Sequence, residues 1–391
     1  MKQFFVLLFC LALENSSKAQ DPAGVAASDT LQQHDSIPQK LTLLQRLNPK
    51  RIMSGNLSFV PIPTVGFAPE TGFSYGASFN YFFNATKSGD KDSARESFIW
   101  LSVSHSTRNQ LVIEPNWQVY TRGEKWFTRG QAGYTRFFER LWGFGNNNVG
   151  EDDFSDVFYE RLYLQGVLGR QVRRNVFLGM RANTSRMFDA VEERSEFATL
   201  MPGATESFVN GLGPVFIADR RNHPYNTMAG WYAEASTLFH HRAFGSQFAY
   251  NDIQFDVRKY WPMKKGGGSL AVQAVANFLP GDVPWRELTR VGGPNIMRGF
   301  FEGRYRGRHL MAAQAEFRQP VGRFLKFAAF IGTAQVGNQM ADFSLLHNHR
   351  IAGGGGIRIL LNRKRQLYFR TDIAFTNDGT RAVYFRLGEA F

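Results

Sequence analysis

From about residue 56 onward, apolar and polar side chains alternate along segments of roughly ten residues, with clusters of Gly, Asn, Asp and Pro between the segments. Residues 252–258 show the pattern, since Phe255 and Val257 alternate with Asp256 and Arg258. Successive side chains of a β-strand point to opposite faces, so each segment has one apolar face and one polar or charged face. The pattern therefore predicts a chain built almost entirely of β-strands.

The alternating segments number about sixteen, and each is long enough to cross a bilayer at a tilt, which takes about ten residues. They cover 56–64, 72–84, 97–106, 109–121, 126–138, 157–171, 174–187, 207–219, 228–240, 249–261, 268–279, 308–319, 323–336, 349–361, 366–376 and 381–391. Pro61, Pro63 and Pro69 interrupt the hydrogen-bonded ladder around the first two segments, because proline has no backbone donor.

The apolar faces would meet another sheet in a soluble β-sandwich and would meet lipid in a membrane barrel. The opposite faces carry Arg, Asp and Gln in strand after strand, which favours a hydrated lumen. No stretch reaches the roughly 18 apolar residues that a membrane-spanning helix needs. We therefore predict an all-β fold, a transmembrane antiparallel β-barrel of about sixteen strands over residues 51–391.

The connections between the predicted strands fall into two classes if the last residue lies on the periplasmic side. Long connections at 139–156, 188–206, 280–307 and 337–348 then lie outside the cell. Short connections at 122–125, 172–173, 262–267, 320–322 and 362–365 lie on the periplasmic side. This asymmetry is typical of outer-membrane barrels, although the connection at 85–96 is longer than a periplasmic turn usually is.

The N-terminus has the features of an export signal. Lys2 supplies positive charge, residues 4–13 form a short apolar run, and Ser17-Lys18-Ala19 resembles a small-x-small cleavage site. We predict a cleaved signal peptide at 1–19, and a periplasmic tether or plug segment at 20–50, which is polar and contains proline. A membrane anchor would need a longer apolar run, and the bulky residue before Cys10 disfavours a lipoprotein signal.

Charge and cysteine content restrict the chemistry further. Cys10 is the only cysteine, so the predicted mature chain can form no disulfide and no thiolate metal site. The formal net charge is +13, which points to phosphate-rich lipid and lipopolysaccharide or to anionic solutes rather than to nucleic acid. Charge alone does not distinguish lipid from solutes.

Residues that could support catalysis occur, but not in a recognisable arrangement. A lipase would need a Ser, a His and an orienting group together, and the pairs at 105–106 and 240–241 provide no such set. His347 and His349, with Asp342 nearby, could hold a metal but are more typical of solvated loop residues. We therefore expect no enzyme activity, no cofactor and no metal.

The last predicted strand places Val383, Phe385, Leu387 and Phe391 on one face. A terminal aromatic residue at the membrane interface suits the aromatic girdle of outer-membrane barrels. It also resembles the signal by which the barrel assembly machinery receives its substrates. We therefore interpret Phe385, Leu387 and Phe391 as a C-terminal assembly signal, with that machinery as a partner during biogenesis.

The segment at 292–300, GGPNIMRGF, resembles the sixth-loop motif, hydrophobic-Arg-Gly-aromatic, of the bacterial surface-antigen barrels that include BamA and TamA. Its motif residues are Met297, Arg298, Gly299 and Phe300. Residues 315–320 resemble the following strand of that family. Asp219-Arg220-Arg221, with Pro224 and Gly230, is similar to its hairpin between strands eight and nine. The resemblance covers 207–391 well and the earlier strands by pattern alone.

The resemblance implies that the long sixth extracellular loop folds into the lumen, where the loop arginine contacts acidic residues of the wall. Strand parity points Glu316 inward, so we expect Glu316 to be the partner of Arg298. The family usually places an Asp on the thirteenth strand, but Gly332 stands there and cannot pair with arginine. About thirty residues precede the predicted barrel, too few for the periplasmic POTRA domains of BamA and TamA.

Two functions remain open from the sequence. The first is a non-catalytic surface-antigen barrel of the outer membrane that acts in assembly or translocation of protein or lipid, with unknown client or partner proteins. A weakly sealed seam between the first and last strands would be its mechanism. The alternative is a passive outer-membrane channel that favours anions, with Arg258, Arg370 and Arg386 lining its lumen.

Overall fold

The computed structural model describes residues 59–68, 71–85, 94–145, 153–193, 202–263 and 267–391. The predicted signal peptide at 1–19 and the predicted tether at 20–50 lie outside these residues. So does 51–58, the start of the predicted barrel. Over the described ranges, the helices are too short and too polar to cross a membrane.

Within these residues, sixteen strands form one antiparallel sheet in chain order. They are β1 (Phe59–Ala68), β2 (Gly72–Phe83), β3 (Ser97–Ser106), β4 (Leu111–Tyr120), β5 (Trp126–Leu141), β6 (Ser155–Arg173), β7 (Val176–Glu192), β8 (Ser207–Asp219), β9 (Gly230–His240), β10 (Tyr250–Pro262), β11 (Ser269–Phe278), β14 (His309–Val321), β15 (Leu325–Gly337), β16 (Arg350–Asn362), β17 (Leu367–Thr376) and β18 (Arg381–Leu387). Two further short strands, β12 (Thr289–Arg290) and β13 (Arg306–Gly307), pair with each other inside the connection between β11 and β14. The predicted number of barrel strands is confirmed.

The alternation in sequence becomes two different faces of the sheet. In β10, Phe255 and Val257 are exposed on the outer face, whereas Asp252 and Tyr260 are buried on the inner face. The same outer exposure of large apolar residues recurs from β2 to β17. In a sandwich a second sheet would cover such a face, whereas among the described residues it stays open, as the wall of a membrane barrel requires.

The first strand differs in position from its prediction. It covers Phe59–Ala68 rather than 56–64 and pairs with β2 over its full length, from Phe59↔Tyr81 to Ala68↔Gly72. The prolines at 61 and 63 therefore lie inside a continuous ladder. Proline is tolerated in a strand that has a partner on one side only, because its missing N–H can face the open edge.

The first and last strands close the barrel without pairing. β1 and β18 lie next to each other, but in the part of the chain that the structure describes no ladder joins them. Every other neighbouring pair of barrel strands is hydrogen-bonded, including β17 with β18. The barrel is thus nearly closed, with a seam between β1 and β18.

The prediction that the last strand continues to Phe391 is wrong. β18 ends at Leu387, and Gly388 adopts a left-handed conformation with φ of 81° that turns the chain inward. Phe391 is buried against Tyr260 and Ala271 on the inner face, instead of sharing the outer face with the preceding residues of the same parity. We call residues 388–391 the tail.

The two ends of the barrel differ as the sequence predicts. The end that carries the tail, here called the turn end, has connections as short as 174–175 and 322–324. The opposite end, here called the loop end, has the long connections 142–154, 193–206, 279–308 and 338–349. At the turn end, 84–96 and 220–229 are exceptions in length. The second of these lies inside the barrel, as described below.

Candidate functional site: an arginine-bearing loop inside the barrel

The connection 279–308 folds back from the loop end into the lumen. Its apolar residues Met297 and Phe300 are fully buried, and they pack in one cluster with the inner faces of β14, β15 and β16. Alanines such as Ala312 and Ala334 line that part of the wall. Small wall residues leave room for the loop, so the loop lies against these three strands.

Two residues at the loop tip adopt a positive φ angle, which is unusual for residues other than glycine. Gly299 has φ of 112° and Met297 has φ of 53°. A Cβ on Gly299 would lie 2.7 Å from Cγ2 of Thr376, so only glycine fits against β17. The tight tip directs the intervening side chain of Arg298 towards the wall.

Arg298 bridges two carboxylates from different strands. Its Nη2 lies 2.7 Å from Oε2 of Glu316 on β14, and its Nη1 donates to Oδ2 of Asp372 on β17 at 2.6 Å. The guanidinium also lies 3.5 Å from the centre of the Phe330 ring. All three charged side chains are fully buried. A planar guanidinium suits this double contact and aromatic stacking, which lysine could not provide together.

Three wall arginines complete what we call the tip cluster, which consists of Arg298, Arg318, Arg358, Arg370, Glu316 and Asp372. Arg318 donates to Glu316 at 2.8 Å, and Arg358 donates to Asp372 at 2.5 Å. Nε of Arg370 lies 3.5 Å from Asp372. A buried carboxylate without a cation would be costly, and here each carboxylate contacts three arginines.

Arg298 and Glu316 lie together, as predicted from the sequence, and a second carboxylate that was not predicted joins them. Gly332 makes no ion pair and instead leaves space for Met297, whose sulfur would lie 3.1 Å from a Cβ there. The second carboxylate comes instead from Asp372 on β17. The alternation along β17 could have identified it. The side chain of Ile373 points outward, so that of its neighbour Asp372 must point into the lumen.

A second group of charges holds the base of the loop to the opposite wall. We call Glu139, Arg286, Arg290 and Arg306 the base cluster. Glu139 on β5 accepts from Nη2 of Arg306 at 2.5 Å and lies 3.5 Å from Arg290. The hydroxyl of Tyr159 on β6 donates to the same carboxylate at 2.9 Å. The loop is therefore attached to β5–β6 at its base and to β14–β17 at its tip.

The connection 220–229 enters the lumen from the turn end. The ring of Tyr225 packs on Phe82 and Phe98 of β2 and β3, with centroids 6.2 and 5.7 Å apart. One residue further on, Asn226 donates to Oε1 of Gln366 at 2.7 Å, beyond β16. We call 220–229 the inner hairpin, because it connects β8 to β9 and its contacts reach both sides of the seam, β2–β3 on one side and the connection after β16 on the other.

The tail joins the inner hairpin at Arg318 and Lys326. Arg318 donates to the carbonyl oxygen of Thr227 at 3.1 Å and to the main-chain oxygen of Phe391, at the end of the tail, at 3.0 Å. The carboxylate of Glu389 accepts from Nζ of Lys326 at 3.0 Å and lies 3.3 Å from a wall arginine of the tip cluster. Arg318 thus connects the tip cluster, the inner hairpin and the tail in one continuous network.

Burial alone would raise the pKa of Glu389, but the positive charges of Arg318 and Lys326 outweigh it and hold the pKa below its ordinary value. A lowered folded-state pKa stabilises the fold above the unfolded pKa, and this stabilisation is lost as pH falls through the folded value. We therefore expect Glu389→Gln to lower the urea midpoint of the barrel in vesicles at neutral pH. The gap from the parent should begin to shrink as pH falls through the ordinary glutamate pKa of about 4.3, where the unfolded state takes up the proton, and should close only below the lowered folded-state pKa. A gap that stays constant with pH would contradict this role.

His349 and Asp342, which the sequence suggested as possible metal ligands, make hydrogen bonds within their own connection and to β15. Nδ1 of His349 lies 3.0 Å from the hydroxyl of Thr333, and its Nε2 lies 3.2 Å from the carbonyl oxygen of Leu345. Asp342 accepts the backbone N–H of Asn338 at 2.7 Å. Across the described ranges, no group of three or more potential ligands could hold a metal ion.

Comparisons with known proteins agree with this architecture. Residues 74–391 match a family model described as the Omp85 superfamily domain. The BamA structure from Haemophilus ducreyi lacking POTRA domains 1–3 is similar, with TM-score 0.54 and 15% identity over 85% of this chain and 70% of that chain. No curated protein matches the sequence.

Two structures of CdiB share the fold as well. CdiB from Acinetobacter baumannii matches with TM-score 0.54 and 9% identity over 84% of this chain and 58% of that chain. CdiB from Escherichia coli matches with TM-score 0.52 and 8% identity over 84% and 62%. This chain therefore spans less than two thirds of either CdiB chain, and identities this low show similarity of fold alone.

Proposed function

Because the chain belongs to the Omp85 superfamily, we propose that it is an outer-membrane barrel that assembles or translocates proteins or lipid without catalysing a reaction. Its partners would be membrane lipid, the barrel assembly machinery during its own biogenesis, and client proteins that it helps to insert. The predicted assembly signal would include Phe385 and Leu387, which belong to β18, while Phe391 would reach the lumen only after folding.

The observation that carries the proposal is the seam between β1 and β18. Each of these strands is paired on one side, so each presents a row of backbone donors and acceptors towards the other. An extended client segment can add to such an edge by backbone hydrogen bonds, and the outer faces of both strands meet lipid. A seam of this kind offers a lateral path from the barrel into the membrane.

The ionic clusters suit the same mechanism. A barrel that opens at one seam needs a wall that keeps its shape, and the tip cluster links the loop to β14 and β17, close to that seam in strand order. The base cluster holds the other end of the loop on β5. The loop acts in this proposal as an internal brace between the two walls.

The alternative of a passive anion channel has less support. Of the three arginines predicted to attract anions, Arg258 pairs with Asp256 and Arg370 is buried beside Asp372. Arg386 remains exposed. The loop 279–308 and the inner hairpin both lie within the lumen, so a wide water-filled path would have to pass between them.

Locking the seam tests the proposal. Val65→Cys in β1 is combined with a cysteine at Val383 or Phe385 in β18, and oxidation is used to form a disulfide. We expect cells that depend on the locked protein to lose folded outer-membrane barrels almost completely, because client strands can no longer reach the strand edges. Addition of a reductant should restore them.

The matched control places the disulfide in a ladder that exists already, between Val65→Cys and Tyr75→Cys, which are paired positions of β1 and β2. This control should leave outer-membrane barrels at parental levels. Full function of the seam-locked protein would rule out lateral release between β1 and β18. Steady anion-selective conductance in planar bilayers would favour the channel instead.

A further inference from the structure

Two neighbouring connections at the turn end form a cleft lined mainly by arginine. We call it the rim cleft; its residues are Arg173, Arg174, Asn175, Arg220 and Arg221. The backbone N–H of Asp219 donates to the carbonyl oxygen of Asn175 at 2.9 Å, which holds the two connections together. The cleft therefore lies at the ends of β6 and β8, where the turn 174–175 is held beside the first two residues of the inner hairpin.

Only one of the four arginines in the rim cleft pairs with a carboxylate among the described residues. Arg221 is committed to Asp219, to which its Nε donates at 2.8 Å. Arg173, Arg174 and Arg220 are exposed, and within the described ranges no carboxylate lies within ion-pairing distance of them. Like charges that line one cleft repel each other, so an anion bound in the cleft would be stabilising.

The cleft lies where the apolar outer band of the barrel ends. Leu168 and Val172 on β6 and Leu178 on β7 are large apolar residues exposed on the outer face. They lead directly to Arg173 and Arg174 at the end of the same pair of strands. The cleft is therefore placed at the boundary between acyl chains and lipid headgroups.

Cations that lie beside tryptophan rings mark the same boundary at three places around the barrel. The guanidinium of Arg170 lies 5.8 Å from the ring centre of Trp126, and that of Arg220 lies 5.7 Å from the ring of Trp231. A lysine on β10 lies 5.9 Å from the ring of Trp261. Tryptophan and basic residues are enriched where membranes meet water, which supports this placement of the headgroup level.

We propose that the rim cleft binds the phosphate of an anionic phospholipid of the leaflet at the turn end. Arginine guanidinium groups recognise phosphate with paired hydrogen bonds, and three of them line this cleft without a competing carboxylate in the part of the chain that the structure describes. The acyl chains of the lipid would lie along the outer residues of β6 and β7. This site goes beyond the proposed function, since it requires neither a client nor an open seam.

The test compares two triple variants of the refolded full-length protein in mild detergent. One removes the exposed charges of the cleft, Arg173→Ala, Arg174→Ala and Arg220→Ala. The matched control removes three basic residues from other connections of the same end, Arg323→Ala, Arg363→Ala and Lys364→Ala. Short-chain phosphatidylglycerol is titrated, and bound lipid is counted by native mass spectrometry.

We expect the cleft variant to bind phosphatidylglycerol roughly tenfold more weakly than the parent, because each basic residue near a lipid surface contributes to anion attraction. The control should bind like the parent, and phosphatidylcholine should bind weakly to all three proteins. Equal losses in both triple variants would show a general charge effect and overturn the site. Inorganic phosphate that binds as tightly as the lipid would overturn the assignment to phospholipid. Unchanged heat modifiability on gels checks that the variants are folded.

Discussion

Replacing Glu316 with glutamine should destabilise the folded barrel more than any replacement of an arginine in the tip cluster. Together with the tail, this region buries five cations, namely Arg298, Arg318, Lys326, Arg358 and Arg370. Three side-chain carboxylates face them, those of Glu316, Asp372 and Glu389. Removing a carboxylate therefore widens the excess of positive charge, whereas removing an arginine narrows it. Breaking a buried ion pair by removing one partner costs about 3–5 kcal/mol, so we expect Glu316→Gln to lie in that range.

Arg298→Ala should cost less than Glu316→Gln, because Glu316 keeps Arg318 and Arg358 as partners. The two changes together should cost less than their sum, since both remove the same 2.7 Å contact. Unfolding of the barrel by urea in lipid vesicles, followed by tryptophan fluorescence, measures each free energy. Fully additive losses would show that Arg298 and Glu316 do not interact.

The matched control for Glu316 is Glu160→Gln. Glu160 pairs with Arg136 at 2.9 Å, but Arg136 is well exposed, and exposed pairs contribute about 0–1 kcal/mol. A loss at Glu160 as large as the loss at Glu316 would mean that any carboxylate of the barrel has this effect. The burial of the tip cluster would then not be the cause of the loss of stability at Glu316.

Replacing Glu139 with glutamine should release the base of the loop 279–308. Glu139 contacts all three arginines of the base cluster, Arg286, Arg290 and Arg306, at distances of 3.7, 3.5 and 2.5 Å. Its loss leaves these guanidinium groups to repel each other. We expect a loss of about 3 kcal/mol in the free energy of unfolding and more frequent channel openings in planar bilayers.

Glu302→Gln is the control for Glu139. Glu302 lies in the same loop and within 3.6 Å of Arg290, but its side chain is 40% exposed. Its replacement should therefore leave both the stability and the conductance near the parental values. If Glu139→Gln leaves the conductance unchanged while lowering the stability, the base cluster supports the fold without holding the loop in the lumen.

Much of the architecture could be predicted from the sequence. Alternation of side chains placed sixteen barrel strands close to their observed bounds, because one-sided burial imposes a period of two on every strand. Parity also placed Glu316 on the inner face, and the resemblance drew attention to Arg298. Each of these inferences depends on neighbours along the chain or on a short motif.

Other features could not be predicted, because they depend on strands that are distant in sequence. Asp372 lies 74 residues from Arg298, and only the folding of the loop 279–308 into the lumen brings the two together. The inward turn of the tail at Gly388 could not be inferred either, since Phe391 shares its strand parity with outward residues. Its position follows from Glu389, which basic residues of β15 and β16 attract into the lumen.

The sequence by itself determined the β-strands, their approximate number and which face of each strand is apolar, because these properties arise from local alternation and from the exclusion of polar groups by lipid. The tertiary structure alone decided which charged side chains meet in the lumen and that the hydrogen-bonded ladder is interrupted between β1 and β18. Ion pairs across a barrel depend on distances between side chains that are far apart in the chain, and a seam depends on whether two terminal strands satisfy each other's backbone hydrogen bonds.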